Sequence, residues 1–83
     1  MGDVDRALER AIDALLDRRA GGTTICPSEA ARAVDPEGWR ALMPAAREAA
    51  GRLAAAGRVE VTQRGAEVDV ATARGPVRVR RCR

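Results

Sequence analysis

Catalysis needs nucleophiles, bases and ligands, and this chain is poor in all three. Histidine and tyrosine are absent, Ser28 is the only serine, and the thiols are Cys26 and Cys82. A serine or cysteine nucleophile needs a neighbouring base to activate it, and no histidine is present to serve. Ser28 stands in Cys26-Pro27-Ser28-Glu29, a helix-start context where a capping role is expected. A structural zinc site takes four ligands, usually Cys and His, and two thiols far apart in the chain do not supply them. Most carboxylates fall beside arginines on helix surfaces, and no glycine-rich loop that could cradle a phosphate occurs. The sequence therefore predicts no catalytic residue, no metal, no cofactor and no small-molecule substrate. It reads as a non-enzyme. A Cys26–Cys82 disulfide is expected only if the last strand returns beside the second helix, and Cys26 otherwise reads as a small core residue.

Arginine is the one residue type that offers recognition chemistry. All fifteen basic residues are Arg, whose planar guanidinium suits phosphate and carboxylate. A GC-rich genome produces the same bias, so the absence of Lys is not itself functional. The placement says more. Residues 1–35 hold seven acids and five arginines, residues 36–57 two and three, and residues 58–83 three and seven. The positive end points to an anionic partner such as nucleic acid. A solvated surface with a basic tail has the same composition.

These residues must be carried by elements that the hydrophobic pattern defines. Asp3 is placed to cap a first helix whose apolar stripe is Val4, Leu8, Ala11, Ile12 and Leu15, with Gly21-Gly22 as its stop. Asp5, Glu9, Asp13 and Asp17 are expected on its outer side with Arg6 and Arg10. Thr23 to Ile25 make a stub strand. A second helix starts at Pro27, capped by Cys26 or Ser28, and buries Ala30, Ala31 and Val34. Asp35-Pro36 opens a short extra helix over 36–42. Pro44 is poorly tolerated inside a helix, so the main third helix restarts there and runs to Ala56. It buries Ala46, Ala49, Ala50 and Leu53 and stops at Gly57. Strict alternation then takes over. Residues 58–63 and 66–71 form a hairpin around Arg64-Gly65, and 76–81 form a third strand with Val77 and Val79 inward.

The order helix, stub strand, helix, helix, hairpin is that of a winged helix. The expected fold is a single α+β winged helix-turn-helix domain over 1–83, with three main helices, a short extra helix and a small antiparallel sheet as the wing. The chain also resembles a small bacterial winged-helix family known only as a domain of unknown function. The likeness is carried by Cys26-Pro27-Ser28-Glu29 with Ala31-Arg32, Trp39-Arg40, Leu42-Met43, Leu53-Ala54 and Gly57. Thr62-Gln63-Arg64-Gly65 and Gly75-Pro76-Val77-Arg78-Val79-Arg80 complete it. The resemblance implies the fold and no established activity.

Double-stranded DNA is the first partner to weigh, because the last helix of such domains enters the major groove. Opposite its buried face the third helix presents Arg47, Gly51, Ala54 and Ala55, while Glu48 and Arg52 are spaced to pair with each other. One free arginine offers few donors to base edges. The sequence thus favours backbone contacts through Arg40, Arg47, Arg64 at the wing tip, Arg78 and Arg80. Pairing of Arg78 and Arg80 with Glu67 and Asp69 on a neighbouring strand would blunt that patch. The competing reading is a protein-interaction or homodimerisation module, because small alanine faces and β-edges suit assembly. Trp39, the only aromatic residue, reads as a core plug rather than a stacking platform. No apolar run reaches the roughly 18 residues a membrane span needs, the N-terminus does not read as a signal peptide, and a cytoplasmic location with reduced thiols is expected.

Overall fold

The computed structural model describes residues 2–19, 21 and 23–82. Three helices, α1 (Asp3–Asp17), α2 (Pro27–Val34) and α3 (Met43–Ala55), precede three strands, β1 (Val59–Gln63), β2 (Ala66–Glu67) and β3 (Arg78–Arg81). The sheet is antiparallel in the order β2-β1-β3. A single bridge between Ile25 and Val79 adds the predicted stub strand to its far edge. The fold is α+β, with an element order compatible with a winged helix.

The helices form where capping and apolar spacing agree. Gly2, not Asp3, is the N-cap of α1, and its amide donates to the Asp5 carboxylate at 3.3 Å. The apolar stripe is turned one position from the expected one. Leu8, Ile12 and Leu16 are buried, Ala11 and Leu15 only half so, and Val4 remains 47% exposed. Of the expected Gly21-Gly22 stop, Gly22 lies outside the described residues; the helix ends at Asp17, with Arg18 as its C-cap. Cys26 is the N-cap of α2. The bond that caps it comes from neither Cys26 nor Ser28 side chains: the Cys26 amide donates to Glu29 Oε2 at 2.8 Å, half of a capping box.

The expected extra helix is reduced. Asp35 Oδ1 accepts from the amides of Glu37 and Gly38, which fixes a turn there, and only Trp39–Leu42 wind as a 3₁₀ turn. The α3 helix buries Ala46, Ala49, Ala50 and Leu53 as predicted, against Val59, Val61, Val77 and Val79. Its end is a Schellman motif: Gly57, at φ 76°, donates to Ala54 and Arg58 donates to Leu53. The chain then reverses into β1. Arg64 and Gly65 both have positive φ, 52° and 83°, the type I′ geometry of a two-residue hairpin.

The second strand departs most from expectation. It ends at Glu67 instead of running to Ala71. Asp69 is the reason: its carboxylate accepts from the Ala71 amide at 2.9 Å and its carbonyl from Thr72 and Ala73. A short acidic side chain that bonds its own backbone favours a turn over a ladder. Residues 68–77 become a loop that crosses onto α3, and the ladder resumes only at Arg78, two residues later than expected.

Candidate interaction surface on the third helix

The arginines decide what this surface can do, and most of them are occupied. Glu9, Asp13 and Asp17 recur every four residues along α1, so they form one ridge. That ridge is not the bare outer face expected with Arg6 and Arg10: Glu9 and Asp13 are half-buried under arginines, while Asp17 stays exposed and also pairs. Arg52 Nε meets Glu9 at 2.5 Å, Arg58 meets Asp13 at 3.0 Å, and Arg81 meets Asp13 at 2.8 Å and Asp17 at 2.5 Å. The two Asp carboxylates raise the affinity of the Arg81 guanidinium for its proton. Arg52 therefore pairs across helices, and not with Glu48 four residues before it. Asp13 and Asp17 of the acidic first segment thus meet Arg58 and Arg81 of the basic last one within the fold.

Arg78 and Arg80 are also engaged. Because β1 is the central strand, β3 faces β1 and not the strand that carries Glu67. Arg80 Nε pairs with Glu60 at 2.7 Å, directly opposite in the register. Arg78 reaches the stub strand, where it donates to Thr24 Oγ1 at 2.8 Å and to the Thr24 carbonyl at 3.2 Å. Arg19 meets the same carbonyl and pairs with Glu29. Burial pulls the Glu29 carboxyl upward, but the Cys26 amide and the charges of Arg19 and Arg78 outweigh it and hold the group below its usual range.

Arg47 is not the free cation of an open helix face. Its Nη1 donates to the Gly75 carbonyl at 2.9 Å and its Nη2 to the Ala73 carbonyl at 2.8 Å. This clamp holds the 68–77 loop against α3. Val70 then comes so near that a Cβ on Gly51 would lie 2.9 Å from Val70 Cγ1. The outward face of α3 is thus partly roofed. Beside the roof lies a trough of about 800 Å³. Met43, Pro44, Gly51 and Ala55 of α3 and Val70 and Ala71 of the loop give it an apolar lining. Glu48 and Asp69, one on each wall, are its exposed charges.

Arg40 lies in the connection between α2 and α3, and its guanidinium stacks on Trp39 at 4.6 Å from the ring centre, with Arg32 at 4.2 Å. The ring packs against the core and also carries two cations, each such contact stabilising by about 0.5–1 kcal/mol at an exposed site. Arg64 stands exposed at the hairpin tip. Of the five arginines expected on a nucleic-acid surface, only Arg40 and Arg64 make no hydrogen bond or ion pair among the described residues. Arg74, exposed in the loop and equally without a hydrogen bond or ion pair from its side chain among the described residues, is an additional cation outside the expected five. Cys26 and Cys82 are both unpaired. Ile25 bridges Val79, so Cys26 sits opposite Arg78, four residues and roughly 13 Å along β3 from Cys82. Among the described residues, no three Cys, Asp or Glu side chains converge on a possible metal position, and no helix is long and apolar enough to cross a membrane.

The family described as "Protein of unknown function (DUF3253)" matches residues 5–82. The chain belongs to that family. The match takes in every strand and nearly all of the helical residues, so the DUF3253 chain is the α1-to-β3 unit described above. No curated protein matches it.

Proposed function

We propose that this DUF3253 chain is a non-catalytic protein-interaction domain that uses the trough between α3 and the 68–77 loop. One observation carries the reading: the helix face that would enter a DNA groove is roofed by Val70 and bordered by carboxylates. A DNA-reading helix needs donors on its outer face, and here Arg47 is spent on the carbonyls of Ala73 and Gly75. An elongated apolar depression beside a helix suits a partner helix. Two unpaired thiols accord with a cytoplasmic setting.

The test is an NMR titration of the labelled domain with a short helical peptide of leucine and alanine flanked by glutamine. Shifts confined to the amides of Gly51, Ala55, Val70 and Ala71 are expected. Shifts absent there, or spread evenly over α1 and the sheet, would reject the trough as the binding surface.

A second reading rests on a different observation. Arg40, stacked on Trp39, precedes α3, while Arg64 and Arg74 sit at the hairpin tip and in the following loop, and none of the three makes a side-chain hydrogen bond or ion pair among the described residues. They could hold a DNA backbone without reading bases, and this backbone contact is the form of DNA binding that the geometry leaves open.

A further inference from the structure

We infer that the occupant of the trough is a helix whose apolar stripe is flanked on both sides by lysine or arginine. The inference rests on the protein-interaction reading and adds the length, sign and symmetry of the partner. Length follows from α3. Its thirteen residues rise by roughly 20 Å, so the trough matches about three and a half turns of a second helix. Most of the apolar lining is small, and Val70 already covers Gly51, so a partner's apolar side chains would seat beside Val70 along Met43, Pro44, Ala55 and Ala71.

Sign follows from which charges are already satisfied. Arg47 and Arg52 border the trough, but both are half-buried, one bonded to loop carbonyls and the other paired with Glu9. Glu48 and Asp69 face solvent. The four charged residues that line the trough, Arg47, Glu48, Arg52 and Asp69, sum to zero, on a protein whose formal net charge is +3, and the two acids are the exposed ones. Asp69 bonds the Ala71 amide yet keeps its full charge. The trough is thus an acidic-edged apolar site on a basic protein.

Symmetry follows from the position of the two acids, one on the helix wall and one on the loop wall. A bound helix lying between them meets a carboxylate on either flank. This arrangement disfavours a second copy docked trough to trough. A two-fold contact sets the same patch against itself, so it would gather the exposed carboxylates of both copies in one interface.

Three synthetic peptides with one leucine-alanine stripe and flanks of lysine, glutamine or glutamate provide the test, read by amide shifts of the intact domain. Exposed ion pairs are weak individually. Two attractions exchanged for two repulsions give the lysine peptide about tenfold tighter binding than the glutamate peptide. Glu48→Lys, on an exposed helix position, should erase or invert that order, and Asp69→Asn, which keeps the turn's acceptor, should halve the difference in free energy. Equal binding of all three peptides at Gly51 and Ala55 would overturn the basic partner and leave the interaction surface standing. No shift at α3 or the loop with any peptide would overturn both. Tighter binding of the glutamate peptide would assign the opposite sign.

Discussion

Arg47 and Gln63 divide four consecutive carbonyls between them. Arg47 takes those of Ala73 and Gly75, at 2.8 and 2.9 Å, and Gln63 takes those of Arg74 and Pro76, at 2.6 and 3.1 Å. Arg47 on α3 and Gln63 on β1 thus tie the strip to both elements. The shape of the α3 surface depends on this pair, of which Arg47 also lines the trough. Arg47→Met should cost about 1–2 kcal/mol, the range for hydrogen bonds from a charged donor that stays partly wet. Hydrogen exchange should show faster amides at 69–73, with the α1 core amides little changed apart from the global loss.

Arg64 occupies a left-handed conformation that costs a residue with a Cβ roughly 1–2 kcal/mol. Asparagine tolerates it and, before glycine, is a favoured type I′ pair. Arg64→Asn should raise the thermal midpoint by about 4–8 °C per kcal/mol gained, with a gain near 1 kcal/mol expected. A fall in the midpoint would mean that the Arg64 side chain contributes more than its backbone strain removes.

Glu29 sets an acid limit on the start of α2. Its folded-state pKa is lowered from 4.5. A depressed carboxylate contributes stability that is present above its unfolded value and lost as pH falls through the folded one. Urea titrations of the parent and Glu29→Gln should therefore differ at neutral pH by about 1 kcal/mol, the usual worth of a cap. The gap should narrow below pH 4.5 as Glu29 takes up its proton. A gap that does not change with pH would assign the effect to shape and not charge.

The Asp13–Arg81 pair is accessible to a double-mutant cycle. The side chains are 21% and 33% exposed, between the surface and buried regimes. A coupling of about 1 kcal/mol is expected, above most exposed pairs, because Asp13 also holds Arg58. Additive Asp13→Asn and Arg81→Met effects would reduce the ridge to a set of solvated contacts.

The backbone reading of DNA binding makes a numerical claim. Three phosphate contacts give a log–log salt slope near −2.7, so affinity for duplex DNA should fall about 40-fold between 50 and 200 mM salt. Arg64→Glu combined with Arg74→Glu should abolish it. Arg47→Glu is a poor probe, since it would undo the loop clamp rather than remove a free cation. Duplex binding that is flat across this salt range would exclude backbone contacts as its source.

Local pattern in the sequence was enough to locate the elements. The apolar spacing of Ala46, Ala49, Ala50 and Leu53, the helix stop at Gly57 and the Arg64-Gly65 turn all stand in the structure, because each is set by neighbours within a turn or two. What the pattern could not show was which charges meet. Glu9, Asp13 and Asp17 look like any solvated helix face, and the arginines that bind them lie more than forty residues away. Asp69 is the legible clue to the shorter strand. An aspartate whose carboxylate can bond the backbone two residues on is a turn former, and it ends the strand that valine alternation alone would extend to Ala71. With that strand shortened, Arg47 has loop carbonyls to bind and no open face to present.

The Arg81–Asp13 contact spans 68 residues of sequence, and it has a consequence for synthesis. Contacts between distant residues must wait until the intervening chain exists, and their loop-closure cost slows folding. On the ribosome α1 emerges first, with Leu8, Ile12 and Leu16 uncovered, while the strand that carries Val79 and Arg81 is still in the exit tunnel. We predict that stalled chains ending before residue 78 remain open to protease and to chaperone capture. Full protection should come only once β3 has cleared the tunnel; protection already complete without β3 would show that the helices fold independently of it.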